Sequence, residues 1–482
     1  MFGLFKRKQQ TAPAQQTPGL SFRHFAAAMN SRLIDWALSY SKINASLKTD
    51  YITVTLRARD LALNNEFVSG FLENAERNVI GESGFTVQSK AGAPEWRSKL
   101  EGLWREYQSR FGGFVTFDEH QSGRDFDVLV LRTLLTDGEV FIHRAFDPES
   151  RFGYRYEVLD SLEIDPLYNV EDAGNGERIT CGVKYDDRGR EIAFYLRKSN
   201  GDYYMTGPRT EIPASEILHI YRKQFPDQAR GYSFFAPIVM NLGQMDAYKE
   251  AEIVHARIQA ATPGVWEQNG QPESGDLLDE TSDKGEFVRE IKAGNIPVAP
   301  RGYTLKFPPS VSPNSQFGVF WKNMLRSIAN ALGVSYNKAA GDYEAVNYSS
   351  LREATLEDRA QFEKIQRFFI ENWKDFQFHD FISALAENGD FSVGKIAEMF
   401  PHKFFGRRFP WVDPTKEITA KEKEFDLLLT DPITELESRG IDPDELLDRW
   451  AEWNKKLEKR GIPFMVKPPI PPEKEEEGNA VS

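Results

Sequence analysis

The chain has 482 residues, of which 40% are hydrophobic, 13% are aromatic and 28% are charged. This length and composition predict two to four folded units with a sizeable buried core, and they exclude a globally disordered protein. The formal net charge of −13 at pH 7 argues against a general nucleic-acid binder, because such proteins carry a basic face.

The N-terminal part of the chain is predicted to be helical after a polar arm. The opening residues "MFGLFKRKQQ" are basic, but no apolar stretch follows them, and no window is apolar enough for a membrane span. We therefore expect a soluble protein made inside the cell. Residues 1–20 are rich in Gln, Pro and Thr, which predicts a flexible arm. From Ser21 to about Leu103 the apolar residues have helical spacing, and Gly81 and Gly84 end one of these helices.

Strand patterns follow, so residues 21–235 as a whole are predicted to form a mixed α+β domain. Residues 126–143 have the pattern of a helix, an Asp-Gly turn and a strand, and residues 139–222 contain several alternating segments. The stretch "YDDRGREIAFYL" predicts a hairpin with its turn at Asp187–Gly189. Cys181, the single cysteine, lies in a strand pattern, where we expect it to be packed. It excludes an intrachain disulfide framework and fits a reducing compartment.

Two helices are predicted on either side of a small insertion. The first runs from Ala236 to Ala261, with Pro237 in its first turn, and residues 263–315 then break into short strands such as "NIPVAP" and "YTLKF". The second helix, within residues 316–334, ends at Gly333. Its apolar stripe comprises Phe317, Phe320, Trp321, Met324, Leu325, Ile328 and Leu332, and its polar face comprises Lys322, Arg326 and Asn330.

The rest of the chain is predicted to be helical after a loop at residues 335–350. Ser350 and Glu353 have the spacing of a capping box, which predicts a helix over residues 351–375. Its buried face would contain Phe362, Ile365, Phe369, Trp373 and Phe376. Residues 376–465 are predicted to form short helices, three of which begin at Asp-Pro pairs, at Asp413, Asp431 and Asp442. Residues 466–482 have the composition of a disordered tail.

No catalytic or cofactor-binding motif is visible in the sequence. Phosphate-loop, dinucleotide-binding, nucleophile-elbow and zinc-protease motifs are absent, and the seven histidines are scattered without ligand spacing. One enzymatic alternative stays open, a Mg²⁺-dependent nuclease using Asp227, Glu290 and Lys292, although Glu-x-Lys triplets are common by chance. We otherwise expect a protein with no enzymatic activity, no cofactor and no metal.

Four segments of the chain form a recognisable series: "IPASEILHIYRKQFPDQARGYSFFAPIV" (212–239), "DAYKEAEIVHARIQAA" (246–261), "LRSIANALGVSYNKAAGDYEAVNYSSLREA" (325–354) and "WVDPTKE" (411–417). Taken in this order, they resemble the portal proteins of tailed bacteriophages, and specifically the lambda-type family. The most specific segment contains the Asn-Tyr-Ser-Ser-x-Arg stretch, Asn347 to Arg352. The first hundred residues match less sharply, and the acidic insertion at residues 267–290 has no matching motif.

The resemblance implies an α+β portal fold that assembles as a ring, usually of twelve subunits, at one capsid vertex. Double-stranded DNA would pass through its axis during packaging and ejection. The ring would contact the terminase large subunit, the major capsid protein and a head-completion or neck protein, in a virion assembled in the host bacterial cytoplasm. ATP hydrolysis would belong to the terminase. The implied parts are the wing (21–235), two stem helices (236–262 and 316–334), the clip (263–315), the tunnel loop (335–350), the long wing helix (351–375) and the helical crown (376–465).

The resemblance also implies that the tunnel loop faces the DNA. The residues expected there are Tyr336, Asn337, Lys338, Asp342, Tyr343 and Asn347, with the stem's polar face nearby. Lys338 is the only cation between Tyr336 and Ser350, and two acidic residues offset it, which suits sliding because phosphate affinity scales with the cations engaged. Two alternatives remain open at this point: an ordinary surface loop with Tyr343 and Tyr348 packed down, and a capsid adaptor without a DNA channel.

Overall fold

Helices dominate the beginning of the described structure. The computed structural model describes residues 42–112, 115–198, 207–261, 265–268, 303–306, 316–344, 346–410, 413–438, 441 and 443–462. The first elements are α1 (Ile43–Asn64), α2 (Glu66–Ala75), β1 (Thr86–Ser89), α3 (Pro94–Tyr107) and α4 (Gly123–Asp137). A π-helical turn, Glu76–Ile80, extends α2 up to Gly81, whose φ of 77° ends it where the glycine pattern predicts.

The two larger antiparallel sheets of this mixed α+β fold lie between α4 and the next long helix in sequence. The three-stranded sheet has β2 at its centre, between β3 and β8, and the four-stranded sheet has the order β4-β5-β6-β7. The strands are β2 (Glu139–Phe146), β3 (Tyr154–Leu159), β4 (Arg178–Thr180), β5 (Val183–Tyr185), β6 (Glu191–Arg197), β7 (Arg209–Pro213) and β8 (Ile217–Tyr221).

The helix–turn–strand predicted over residues 126–143 is confirmed. Helix α4 ends at Gly138, which has a φ of 88°, and the chain enters β2 directly. A Cβ atom at this position would lie 1.9 Å from the backbone of Tyr232, so both the conformation and the available space require glycine. The predicted β5–β6 hairpin is also confirmed, with Gly189 at a φ of 80° in its turn. Cys181 is buried as expected, but it lies in the turn after β4 rather than in a strand.

The two central helices are α5 (Val239–Ala261) and α6 (Phe317–Leu332), and a short β9–β10 pair, Val265–Gln268 with Tyr303–Lys306, lies between them in sequence. The prediction placed the start of α5 too early, because Pro237 lies in the turn before the helix. The "YTLKF" strand is confirmed, and "NIPVAP" lies outside the described residues. Gly333 caps α6 as predicted, with a φ of 68°.

The segment after α6 is shorter and more ordered than the predicted loop. It contains a helical turn, α7 (Tyr336–Ala340), and the next helix, α8 (Tyr348–Phe369), begins before Ser350. The capping residue is Asn347, whose side-chain oxygen accepts the Ser350 backbone N–H at 2.8 Å, so the predicted capping box at Ser350 is wrong. The helix does not end near residue 375: a π-helical turn, Ile370–Lys374, joins α8 to α9 (Asp375–Glu387).

The C-terminal region is not entirely helical, which corrects the prediction for residues 376–465. After α10 (Ile396–Met399), β11 (His402–Phe405) pairs antiparallel with β1. The remaining helices are α11 (Pro414–Asp426), α12 (Pro432–Ser438) and α13 (Pro443–Glu458). The Asp-Pro starts are confirmed at Asp413 and Asp431, whose carboxylates accept backbone N–H groups of the first turn, while Asp442 lies outside the described residues. The arm at residues 1–20 and the tail at residues 466–482 also lie outside them.

One large apolar core joins the N-terminal helices to α6, α8 and α9. The predicted face of the long helix is confirmed at Phe362, Phe369 and Trp373, which are fully buried within this core. A second, smaller core lies on the four-stranded sheet around Phe194. Beyond Phe405, no residue whose burial the structure describes is buried, so α11 to α13 contribute little to either core.

Candidate functional site

Asp342 organises the segment between α6 and α8. Its carboxylate accepts a hydrogen bond from the Lys322 ammonium at 2.8 Å and another from the Tyr336 hydroxyl at 2.8 Å. Its backbone oxygen accepts the Asn337 side-chain N–H at 2.7 Å. The bonds from Lys322 and Tyr336 to the carboxylate, with a bond from the Glu344 backbone N–H, lower the pKa of Asp342 to about 2, and the Lys322 bond contributes most. Four of the residues predicted at the site therefore bind one another.

The aromatic ring of Tyr336 lies close to both cations of the predicted polar face of α6. Lys322 Nζ lies 5.3 Å from the ring centroid, and the Arg326 guanidinium lies 5.5 Å from it. Burial, followed by the Asp342 carboxylate, raises the pKa of the Tyr336 phenol, so it remains a hydrogen-bond donor at neutral pH. The polar face of α6 is thus used partly to hold α7 in place, and Asn330 remains exposed on it.

Helix α7 is fixed to α8 by Ser335. The Ser335 hydroxyl accepts the Lys338 backbone N–H at its start and donates to the buried Asp358 carboxylate at 2.8 Å. The backbone N–H of Ser335 donates to the other oxygen of Asp358 at 2.6 Å. A buried carboxylate that accepts two such bonds holds the turn rigidly. No sequence motif indicated this role for Asp358, which is 23 residues away from Ser335.

Lys338, the cation expected to approach DNA, is directed toward the protein. Its Nζ lies 4.8 Å from the ring centroid of Phe362, a fully buried core residue. Burial lowers the pKa of Lys338; Asp358 opposes this effect, and the cations of Arg407, Arg359 and Arg77 add to it. The cation is therefore partly withdrawn from solvent, and its contact with DNA remains a prediction.

The exposed groups of the segment are mainly aromatic and neutral. Tyr343 is 57% exposed and Tyr348 is 55% exposed, so the alternative in which both rings are packed down is wrong. Asn347 is exposed beside them, although its side-chain oxygen is used in capping α8. Arg326 is exposed on the neighbouring face of α6 and donates weakly to Asn323 at 3.4 Å. Contact between these groups and DNA remains a prediction.

A buried ionic cluster that the sequence did not reveal lies between α1 and the β2 sheet. Glu139, on β2, accepts bonds from the Arg230 guanidinium and the Tyr51 hydroxyl through one carboxylate oxygen. Its other oxygen lies 3.0 Å from His219 Nε2 and accepts the Gly231 backbone N–H at 2.7 Å. The side chains of both Glu139 and Arg230 are completely buried. Burial would raise the pKa of Glu139, but the charge of Arg230 and the bonds from His219 lower it to about 2.

Only one of the three proposed nuclease residues, Asp227, lies within the described structure. Asp227 lies in a turn with a φ of 58°, and its backbone oxygen accepts the Asn44 side-chain N–H at 2.7 Å. Glu290 and Lys292 lie outside the described residues. In the part of the chain that was placed, no three His, Cys, Asp or Glu side chains are grouped as metal ligands.

Comparison with known proteins identifies the family. The family described as "Phage portal protein, lambda family" matches residues 30–366, which is most of the chain. This chain belongs to the lambda family of phage portal proteins. The matched residues include α5, α6, the Asp342 segment and most of α8.

Named portal proteins are similar over 70% or more of the chain. The "Probable portal protein" of Halomonas phage phiHAP-1 is 29% identical over 469 residues, covering 94% of this chain and 90% of the relative. "Portal protein B" of Escherichia phage lambda is 20% identical and covers 71% of this chain and 70% of its own. The "Portal protein" of Escherichia phage N15 is 21% identical, with 70% of each chain covered.

Among solved structures, a chain from the "Neck of native GTA particle computed with C12 symmetry" aligns with 82% of this chain and 94% of its own. The identity is 14% and the TM-score is 0.45.

Among the helices that the structure describes, none is long and apolar enough to cross a membrane.

Proposed function

We propose that the chain forms the portal ring of a tailed phage particle, with about twelve copies around an axis through which double-stranded DNA is packaged and ejected. Membership of the lambda portal family carries this proposal. Under it, residues 21–235 form the wing, α5 and α6 the stem, residues 263–315 the clip, and residues 376–465 the crown. The protein has no enzymatic role of its own, and it docks the terminase large subunit, the major capsid protein and a neck protein.

Apolar side chains on the exposed faces of α5 and α6 support contacts between copies. On α6, Val319 is 58% exposed and Phe320 is 47% exposed, although Phe320 belongs to the predicted apolar stripe. On α5, the exposed apolar side chains are Met240, Ile253, Val254 and Ile258. A single copy leaves these groups in water, and burying them against a neighbouring copy would contribute roughly 25 cal/mol for each Å² removed from solvent.

The arrangement of charges around Asp342 supports a weak, non-specific interaction with the DNA backbone. Lys322 is neutralised by Asp342, and Lys338 faces the core, so two lysines close to the segment are withheld from phosphates. Phosphate affinity grows with each free cation engaged, whereas exposed tyrosines and amides can touch a backbone without reading bases. This arrangement suits a surface past which DNA moves, which is the role proposed for residues 335–350.

The ring is tested by replacing one exposed apolar residue of α6. Phe320→Asp is expected to prevent assembly, because it would place a charge in the contact between copies. Leu167→Asp, at a residue that is 56% exposed far from α5 and α6 in sequence, is the control and is expected to assemble normally. Light scattering after size exclusion distinguishes a chain of 55.1 kDa from a ring of about 660 kDa.

The circular dichroism of Phe320→Asp should match that of the unaltered chain, which separates failed assembly from failed folding. Rings of normal mass in Phe320→Asp would contradict the assignment of α6 to the contact. A loss of rings in both variants would instead show a general sensitivity to added charge.

A further inference from the structure

A basic cleft lies beside α8, away from the Asp342 segment. It has a volume of about 1260 Å³ and is bounded by α8, by β11 with the residues that follow it, and by α11 and α12. Five cationic side chains line one part of it: Arg359 and Arg367 from α8, and Lys403, Arg407 and Arg408 from the β11 segment. Such a concentration of positive charge is unusual in a chain whose net charge is −13.

The described lining of the cleft holds fewer carboxylates than cationic side chains. Asp375 is bound to His402 at 3.1 Å, and Glu435 is bound to Lys421 at 2.8 Å, and both of these partners also line the cleft. Glu363 and Glu371 also line the cleft. Burial alone lowers the pKa of Arg408 to about 10. The cations of Arg407 and Arg359 likewise contribute to the lowered pKa of Lys338 behind the cleft. Only the Lys338 shift reflects nearby positive charge, because burial accounts for the shift of Arg408.

Aromatic rings hold these cations in fixed positions along the cleft wall. The Arg359 guanidinium lies 5.4 Å from the ring centroid of Phe409, and the Arg408 guanidinium lies 4.9 Å from that of Phe405. Phe409 is followed by Pro410, which also lines the cleft. A wall of aromatic rings, arginines and a proline matches an extended segment that is rich in both proline and acid, because prolines pack on aromatic grooves and carboxylates pair with guanidiniums.

The chain itself contains one segment of this chemistry. Residues 468–477 have the sequence "PPIPPEKEEE", with four prolines followed by four glutamates around one lysine. They follow α13, the last described helix, which has 16 residues and is therefore roughly 24 Å long. The 11 residues from Pro463 to Glu473 can span roughly 36 Å when extended. This length allows the chain to return along α13 to α12, which borders the cleft.

We propose that the basic cleft binds residues 468–477 of the same chain, with the prolines on the aromatic wall and the glutamates on Arg359, Arg367 and Arg407. This contact within one chain does not depend on whether the chain forms a portal ring. Occupation withholds these arginines from nucleic acid, so the segment acts as a built-in competitor for phosphate at the cleft.

The proposal is tested by photo-cross-linking of the full-length chain. A Glu475→Cys variant is labelled with a thiol-reactive benzophenone; the only other cysteine, Cys181, is buried, and burial raises the pKa of its thiol, so labelling is selective. Cross-links are mapped by mass spectrometry on a mixture of ¹⁴N and ¹⁵N chains, which separates links within one chain from links between chains. We expect links within one chain to residues 402–410 and to α8.

Two charge variants decide whether the cations cause the contact. Arg359→Gln/Arg367→Gln is expected to reduce the cross-link yield about tenfold, since it removes two charge-assisted contacts. Arg188→Gln/Arg222→Gln, which removes the same charge from exposed residues outside the cleft, is expected to leave the yield unchanged. Raising the salt to about 0.5 M should also lower the yield, because the ion pairs are screened.

Several results would overturn the proposal. Links to another surface, links only between chains, or equal yields in the two charge variants would each show that the cleft does not hold this chain's own segment. Binding of a short DNA duplex that requires Arg359 and Arg367, in the absence of the cross-link, would assign the cleft to nucleic acid instead. None of these outcomes depends on whether the protein forms a ring.

Discussion

Replacing Glu139 by Gln should destabilise the β2 sheet far more than an ordinary charge-neutralising substitution. The carboxylate is surrounded only by donors: the Tyr51 hydroxyl, the Arg230 guanidinium, His219 and the Gly231 backbone N–H. An amide at this position places an NH₂ group against at least one of these donors. It also leaves the completely buried Arg230 charge without its carboxylate.

The expected cost is about 3–5 kcal/mol, the range for breaking a buried ion pair by removing one partner. Arg230 retains its bonds to the backbone oxygens of Ser161, Ile164 and Cys181, at 2.7, 3.2 and 2.8 Å, so the guanidinium stays hydrogen-bonded. These carbonyl groups carry no net charge, however, and cannot replace the carboxylate. The loss therefore arises mainly from unpaired charge rather than from unmade hydrogen bonds.

Native-state hydrogen exchange at the β2 amides measures this cost as a fall in the local opening free energy. Glu191→Gln is the matched control, since its side chain is 26% exposed at the outer end of the same cluster and binds His219. It should cost about 1 kcal/mol or less. A double variant, Glu139→Gln/Arg230→Met, should recover part of the stability lost by the single one. The reasoning would be refuted if Glu139→Gln lowered the opening free energy by less than about 1 kcal/mol, or if Glu139→Gln and Glu191→Gln lowered it equally.

Three further outcomes are expected. Burial alone would lower the pKa of His219, but the carboxylates of Glu191 and Glu139 raise it above 6.5. Protonated His219 therefore contributes fully to stability below about pH 6.5, and this contribution is lost as the pH rises through the pKa of the folded state. The melting temperature measured across this pH range should fall as the pH rises, and Glu191→Gln should make this fall smaller. Asp342→Ala should free Lys322 from its ion pair, so the slope of log K for DNA binding against log salt concentration, measured by fluorescence anisotropy, should steepen by about one. Glu344→Ala removes the same charge and should leave this slope unchanged. Gly138→Ala should cost more than about 2 kcal/mol in urea unfolding, because its Cβ would meet backbone atoms at 1.9 Å; a loss below about 0.5 kcal/mol would contradict the close approach.

The sequence predicted those features that local patterns determine. The second half of the α6 apolar stripe, the Gly333 cap and the capping aspartates of α11 and α12 depend on residues within one or two turns, and they are confirmed. The first half of the stripe is not buried throughout, because Phe320 is exposed. The start of α8 was wrong because Asn347 and Ser350 are both good capping residues, and only the three-dimensional course of the chain selects between them.

Features that depend on distant partners could not be predicted in this way. Strand β11 pairs with β1, which lies more than 300 residues earlier, and an isolated "HKFF" carries too little pattern to indicate a strand. The same limit applies to the site. The sequence correctly singled out Lys322 and Lys338 as nearby cations, but their use in binding Asp342 and in packing on Phe362 is set by tertiary contacts.

Electron cryomicroscopy of the purified protein tests the central claim most directly. The account predicts closed rings of about twelve copies, with α5 and α6 in contact between neighbours and the Asp342 segment facing an axial opening wide enough for a DNA duplex. A monodisperse single chain that stays unassembled with its capsid partners present, or a closed assembly without an axial opening, would contradict the account.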